Sequence, residues 1–328
     1  MRSLSGKTIL FFCPTFFNYE QEIKKALEDF GATVIWYDDR PSNNFYSKAV
    51  IRVNKNFLKN KIRRYYNEIL DKNKDQKFDY LFFVNPESIS VEILTKMQGL
   101  FPDAKRILYM WDSFKNRKQN LELLPLFNSM YTFDREDSIS YNLKLRPLFY
   151  INTYGKKEDS SPKYELLFVG TAHSDRYTFV KKFCESNKLN NVKLYFYLNS
   201  VLLFFLKKLF DSSFKKVRYE DVSFTSLSHS EISSMMQQSK IVLDINHPKQ
   251  IGLTMRTLET LGMQKKLLTT NKDILNYDFY NPANILLVER ESPLLTEEFQ
   301  KIPFEPLDLG TLFKYSISGW VSEIFELI

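Results

Sequence analysis

The chain has 328 residues, 44% hydrophobic and 26% charged, a balance ordinary for a soluble globular protein and long enough for two domains of about 150 residues each. No run approaches the roughly 18 apolar residues of a transmembrane helix; the longest is 201–206. Its formal charge of +7, from 46 Lys+Arg against 39 Asp+Glu, suits anionic lipid, phosphate-bearing substrates or a generally basic surface. No RNA- or DNA-binding signature accompanies it, so nucleic acid is not an expected partner.

Lys7–Cys13 is a short apolar run before Pro14 and predicts a buried parallel strand. Asn18–Phe30 has helical spacing, with Ile23, Leu27 and Phe30 on one side, and Gly31 stops it. Thr33–Tyr37 is the next strand, completing the unit with which a Rossmann-like domain begins. Ala49–Lys72 is basic and helical; Tyr80–Val84, Arg106–Trp111 and Met130–Phe133 are strands; Val91–Phe101 and Asp137–Leu143 are helices. Thr153–Lys163, rich in Gly, Pro, Ser and charge, reads as a linker. A second alternating series follows, with strands at Glu165–Val169, Val192–Leu198, Ile241–Ile245, Leu267–Thr270 and Ile285–Val288. Its helices are expected at Arg176–Asn187, Ile232–Gln238 and Met255–Gly262.

The expected fold class is therefore α/β, with two Rossmann-like domains whose parallel sheets face a central cleft. The domains fall at 1–152 and 164–311, with the linker at 153–163 and an amphipathic tail, 312–328, packing back across both. Ser200–Lys216 is apolar with Lys207, Lys208, Lys215 and Lys216. On one helix, Lys207, Lys208, Asp211 and Lys215 share a side, which suits either an interfacial helix on an anionic membrane surface or a core helix. The amino terminus lacks a small-residue cleavage site, and Cys13 and Cys184 have no metal or redox spacing. The expected location is cytoplasmic, or peripheral at the inner face of the cytoplasmic membrane.

The stretch 244–271 carries the functional argument. A helix beginning after Gly252 at the top of a parallel sheet points free N–H groups and its positive dipole end at a ligand. Arg256 and Glu259, three apart, flank Thr257 on that helix. The guanidinium suits a diphosphate and the carboxylate suits ribose hydroxyls. The bland reading of such a pair is a weak surface ion pair. Gly170 and Thr171 end the strand 165–169, and with His173 and Arg176 form a second candidate loop, where glycine permits close approach of a ligand. Asn246 and His247 precede the Gly252 helix as further contacts, although a histidine before Pro248 also suits a structural turn. His229 reads as part of a helix start capped by Ser228 or Ser230.

Glycine, R-T-L-E at 256–259, Gly262, two lysines, the strand into Asn271 and the run 280–290 together resemble the donor half of GT-B-type bacterial glycosyltransferases. The similarity is to spore-maturation-protein-like enzymes and to lipopolysaccharide or capsule transferases, over about 164–290. It implies a nucleotide-sugar donor, a glycan or lipid-linked acceptor and no cofactor, with Glu259 at the donor ribose and Arg256 at the diphosphate. The large retaining family of this fold carries two glutamates eight positions apart, but Ile251 stands eight before Glu259, leaving stereochemistry open. An acceptor base is expected at a strand end of the first domain, with Asp112 first, Asp134 second and Glu87 third. No D-x-D pattern is present, so leaving-group charge is expected to fall to the helix end, Arg256 and Lys265 or Lys266 rather than to a metal. A sugar-nucleotide epimerase or hydrolase, and a non-catalytic nucleotide-sugar-binding assembly subunit, are the alternative readings.

Overall fold

A computed structural model of the chain describes residues 3–44, 50–51, 54–155, 161–248 and 250–327. It divides into two compact units, Met1–Pro147 with Ile317–Ile328, and Leu148–Ser316. Each is built on one six-stranded, all-parallel sheet. Buried on both faces, such strands need near-continuous apolar runs, which is why they were readable as short hydrophobic blocks.

The first unit orders its strands β2-β1-β3-β4-β5-β6: β1 Thr8–Phe12, β2 Thr33–Tyr37, β3 Tyr80–Val84, β4 Lys105–Met110, β5 Ser129–Thr132 and β6 Lys144–Leu145. Its helices are α1 Tyr19–Asp29, α2 Lys59–Asn73, α3 Val91–Leu100 and α4 Arg135–Tyr141. The abundant phenylalanine is spent between β1 and β3, where Phe11 stacks on Phe82 at 5.3 Å and Phe12 on Phe83 at 4.9 Å. The part of the expected helix Ala49–Lys72 at 49, 52 and 53 lies outside the described residues.

In the second unit the order is β12-β11-β10-β7-β8-β9: β7 Tyr164–Thr171, β8 Val192–Tyr197, β9 Val222–Ser223, β10 Ser239–Asp244, β11 Lys266–Thr269 and β12 Ile285–Leu287. Helices α5 Arg176–Ser186, α6 Val201–Phe210, α7 His229–Gln237, α8 Met255–Gly262, α9 Glu297–Lys301 and α10 Leu309–Tyr315 complete it. A capping box of Ser228 and Glu231 opens α7 and holds His229 at its first turn.

Two expectations change. The tail is not one amphipathic stretch: extended backbone at Ser316 separates α10 from α11, Ile317–Ile324. Trp320 of α11 is fully buried against Phe82 and Tyr109 in the first unit. The core-helix reading of 200–216 also fails. Within α6 only Phe204 is buried, whereas Leu202, Phe205, Leu209 and Phe210 are 66, 59, 71 and 79% exposed. The helix stops at Phe210 because Asp211 turns extended and caps the turn Ser212–Phe214, so Lys215 does not share its face.

Candidate functional site

In the second unit the strand order reverses between β7 and β10, so the loops leaving their carboxyl ends diverge and open a crevice where ligands of doubly wound sheets bind. Of the sequence candidates, Thr171 ends β7, Arg176 opens α5, and His173, Asn246 and His247 lie on the two loops. The His173 and His247 rings face each other at 5.7 Å. Ser174 takes a left-handed backbone (φ 50°), unusual for a residue with a Cβ, and its Oγ lies 2.9 Å from His173 Nδ1 and donates to the His173 carbonyl. Burial, then the charges of Arg176, His247 and Lys207, push the His173 pKa down to about 3, so the ring is neutral at pH 7.

Arg176 joins the two loops. Its Nε donates to the Ile245 carbonyl at 2.8 Å and its Nη1 to Thr171 Oγ1 at 3.1 Å. Neither acceptor is charged, and among the described residues Arg176 makes no ion pair. Burial lowers its pKa while Asp244 works against the shift. A guanidinium in this condition is poised for an anion.

The start of α8 is fixed by a residue that the spacing did not flag. Asp244, buried at the end of β10, accepts hydrogen bonds from Thr254 Oγ1 and Thr257 Oγ1, each at 2.6 Å. Thr254 is also the helix N-cap, accepting from the Thr257 amide at 3.3 Å. Thr257 therefore anchors the helix. Gly252 is buried two residues before the cap, and its carbonyl accepts from Gln250 and Asn271. Asn246 binds the Gln250 carbonyl and receives Thr270 Oγ1 at 2.8 Å.

Arg256 and Glu259 form an ion pair with Glu259 only 2% exposed, so this is not a weak surface pair. Tyr154 lies against both, its pKa raised by burial and then by the Glu259 charge, and its hydroxyl meets His229 Nδ1 at 3.0 Å. Arg290, in the run 280–290, spans the site: it pairs with Asp175, donates to the Asn246 carbonyl at 2.6 Å and reaches Thr270 Oγ1 at 3.2 Å.

At Gly170 a Cβ would lie 2.9 Å from the Phe168 ring, so the chain's own packing also favours glycine there. One expectation needs correction. Lys265 and Lys266 sit at the amino end of β11, away from the loops; Lys265 binds the Gln237 carbonyl and Lys266 the Phe299 and Ile302 carbonyls.

The first unit presents a different strand-end environment. Its order reverses between β1 and β3. Asp39, fully buried, accepts the Glu87 and Ser88 amides at 2.6 and 2.7 Å and the Tyr66 hydroxyl at 2.6 Å. Glu87 holds Arg117 at 2.6 Å and Arg40 at 3.6 Å. Asp112 follows β4, keeps a partly exposed carboxylate, and pairs with Arg117 at 3.0 Å. Asp134 is buried and caps α4 through the Glu136 and Asp137 amides. Asp137 was not anticipated: burial, followed by the Asp134 and Glu136 charges, raises its pKa to about 6, against the Phe114 amide it accepts at 2.8 Å.

Two Rossmann-like units with parallel sheets define the GT-B fold class. Solved structures of that class align over nearly the whole chain. Alr3699/HepE from Anabaena in complex with UDP-glucose aligns with a TM-score of 0.63 and 10% identity, covering 98% of each chain. The lipopolysaccharide outer core galactosyltransferase WaaB aligns at 0.53 and 10%, covering 98% of this chain and 100% of that one. MnaA of S. aureus with UDP aligns at 0.53 and 9%, covering 100% and 98%. At these identities the likeness is one of fold. No sequence-family profile and no curated protein matches the chain.

Proposed function

We propose that the chain is a glycosyltransferase that moves a sugar from a nucleotide donor, bound by the second unit, to a bacterial surface glycan such as lipopolysaccharide or capsule. The observation that carries the reading is Arg176, a cation without an ionic partner among the described residues, at the loops where the second sheet reverses its order. The start of α8, pinned by Asp244, supplies N–H groups and the positive dipole end beside it. The donor diphosphate engages Arg176 and draws Arg256 from Glu259, which frees that carboxylate for the ribose. This matches the roles implied by the likeness of 256–259 to spore-maturation-protein-like enzymes.

Leaving-group charge is then met by guanidinium groups and the helix end, a reading that calls for no metal. Neutral His173 lines the sugar side, with the His247 ring facing it. On the acceptor side Asp112 is the preferred base, since its carboxylate is partly exposed whereas that of Asp134 is occupied in a buried cap. A lipid-linked acceptor places the reaction at the inner face of the cytoplasmic membrane.

A thermal-shift screen across UDP-, GDP-, CMP- and dTDP-sugars tests the donor site. One class is expected to stabilise the protein, and Glu259→Ala to reduce that stabilisation; an unchanged response in the variant overturns the ribose assignment. Nucleotide release that needs an acceptor supports transfer. Release or sugar isomerisation without one indicates a hydrolase or epimerase, and binding without turnover a non-catalytic subunit.

A further inference from the structure

Residues 202, 205, 206, 209 and 210 recur at the spacing of one helical face. In a helix packed on its own domain that stripe faces the core; on α6 it faces solvent, with Leu206 40% exposed and the other four more so. Tyr219, 49% exposed, packs beside Phe205 at 6.3 Å and widens the apolar surface. The rim is basic. Lys207 and Lys208 occupy the last turn of α6, and Lys215, Lys216 and Arg218 are exposed immediately after the following turn. Over 200–216 there are four lysines against one aspartate. Lys208 Nζ lies 5.8 Å from the Phe204 ring and donates to the Lys215 carbonyl, and Lys207 Nζ lies 5.5 Å from the Phe214 ring and pairs with Asp211, so both ammonium groups are held at this end of the helix.

We infer that this face of α6 is a docking surface for an anionic lipid bilayer, with the helix lying in the plane of the headgroups. A ten-residue helix, about 15 Å long, cannot span a membrane but can lie in the interface with one face in the acyl region. The lysines select the occupant. An isologous contact with a second copy would bring the lysine rims of two chains together, whereas phosphatidylglycerol headgroups neutralise them. The position adds a consequence. Helix α6 follows β8, the neighbour of β7, and Lys207 is near enough to bear on His173. Docking therefore sets the His173 loop beside the membrane, where a lipid-linked acceptor arrives.

Sedimentation with phosphatidylcholine vesicles, with and without phosphatidylglycerol, tests this on the full chain. Binding is expected only to the anionic vesicles and to weaken as salt rises. Leu209→Ser/Phe210→Ser should reduce partitioning by about tenfold or more. Lys208→Gln/Lys216→Gln should reduce it by about 25-fold, roughly fivefold per charge. All four positions lie outside the donor site, so thermal shifts by nucleotide sugars should persist in both variants; this separates failure of the docking surface from failure of the donor reading. Absent binding to anionic vesicles, or variants that bind as wild type, overturns the inference. So does a concentration-dependent dimer abolished by Leu209→Ser/Phe210→Ser, which makes the face a self-association surface.

Discussion

Replacing Arg176 by Gln separates a ligand-binding arginine from a structural one, because the two roles predict opposite balances of stability and affinity. The side chain gives up hydrogen bonds to the Ile245 carbonyl and to Thr171 Oγ1, each worth about 1.5–3 kcal/mol with a charged donor. Against this stands the desolvation of a guanidinium without an ionic partner among the described residues, several kcal/mol in the opposite direction. Glutamine keeps one donor for the loop carbonyl, so the unfolding free energy should change by no more than about 1 kcal/mol. The donor diphosphate has no such compensation. Loss of a bidentate, charge-assisted contact costs about 3 kcal/mol, or roughly 100-fold in Kd. Calorimetry with the nucleotide that responds in the thermal screen gives the second number, and urea unfolding gives the first. Affinity within threefold of wild type refutes the assignment. A stability loss above about 3 kcal/mol with affinity retained makes Arg176 a strut between the two loops.

Removing one hydroxyl from the Asp244 clamp, by Thr257→Val, should cost about 1.5–3 kcal/mol in urea unfolding. Thr254→Val should cost more because it also removes the N-cap of α8, and in the double variant, which leaves a buried carboxylate short of donors, the loss should exceed the sum; simple additivity would refute a shared clamp. His173 titrates near 3 when folded and near 6.5 when unfolded, so its stabilising contribution is present above pH 6.5 and lost as pH falls toward 3. Between pH 7 and 5 this amounts to about 2 kcal/mol, and His173→Asn should flatten that part of the stability profile. Gly262→Ala places a Cβ 2.5 Å from the Tyr150 ring, whose hydroxyl is tethered to the Leu312 carbonyl. Overpacking should outweigh the helix-propensity gain and lower stability by about 1–2 kcal/mol, and an unchanged melting temperature would show that the ring moves aside freely.

The strands were legible because a parallel sheet buries both faces, and Thr33–Tyr37 and Tyr80–Val84 are bounded as their apolar runs imply. The two-residue strands β6 and β9 were not, since Lys144–Leu145 and Val222–Ser223 carry no run to detect. Helix α6 misled for a related reason: periodicity reports that a face is apolar, not what covers it. In the site, Arg176, His173 and His247 were named from loop position. Asp244 and Arg290 were missed because their partners lie 10 to 115 residues away, across strand ends that only the sheet order brings together. Glu259 and Arg256 were named correctly as a pair, but their burial against Tyr154 depends on a segment 100 residues earlier that no spacing rule connects.

The two units repeat one architecture, and their side chains decide which is suited to an anion. At the first sheet's reversal the backbone amides of Glu87 and Ser88, the donors an incoming phosphate would use, already bind the Asp39 carboxylate. Arg40 and Arg117, the nearby cations, are held by Glu87. An anion entering there would have to displace a buried carboxylate and break two ion pairs, each step costing several kcal/mol. At the second sheet's reversal the corresponding cation, Arg176, donates to a carbonyl and a hydroxyl and makes no ion pair among the described residues, although the Asp244 charge bears on it. Exchanging two neutral acceptors for phosphate oxygens is favourable where exchanging carboxylates is not. The same topology thus leaves the first unit's cations ion-paired and Arg176 of the second hydrogen-bonded to neutral acceptors, which is the argument for placing the nucleotide on β7 and β10 rather than on β1 and β3.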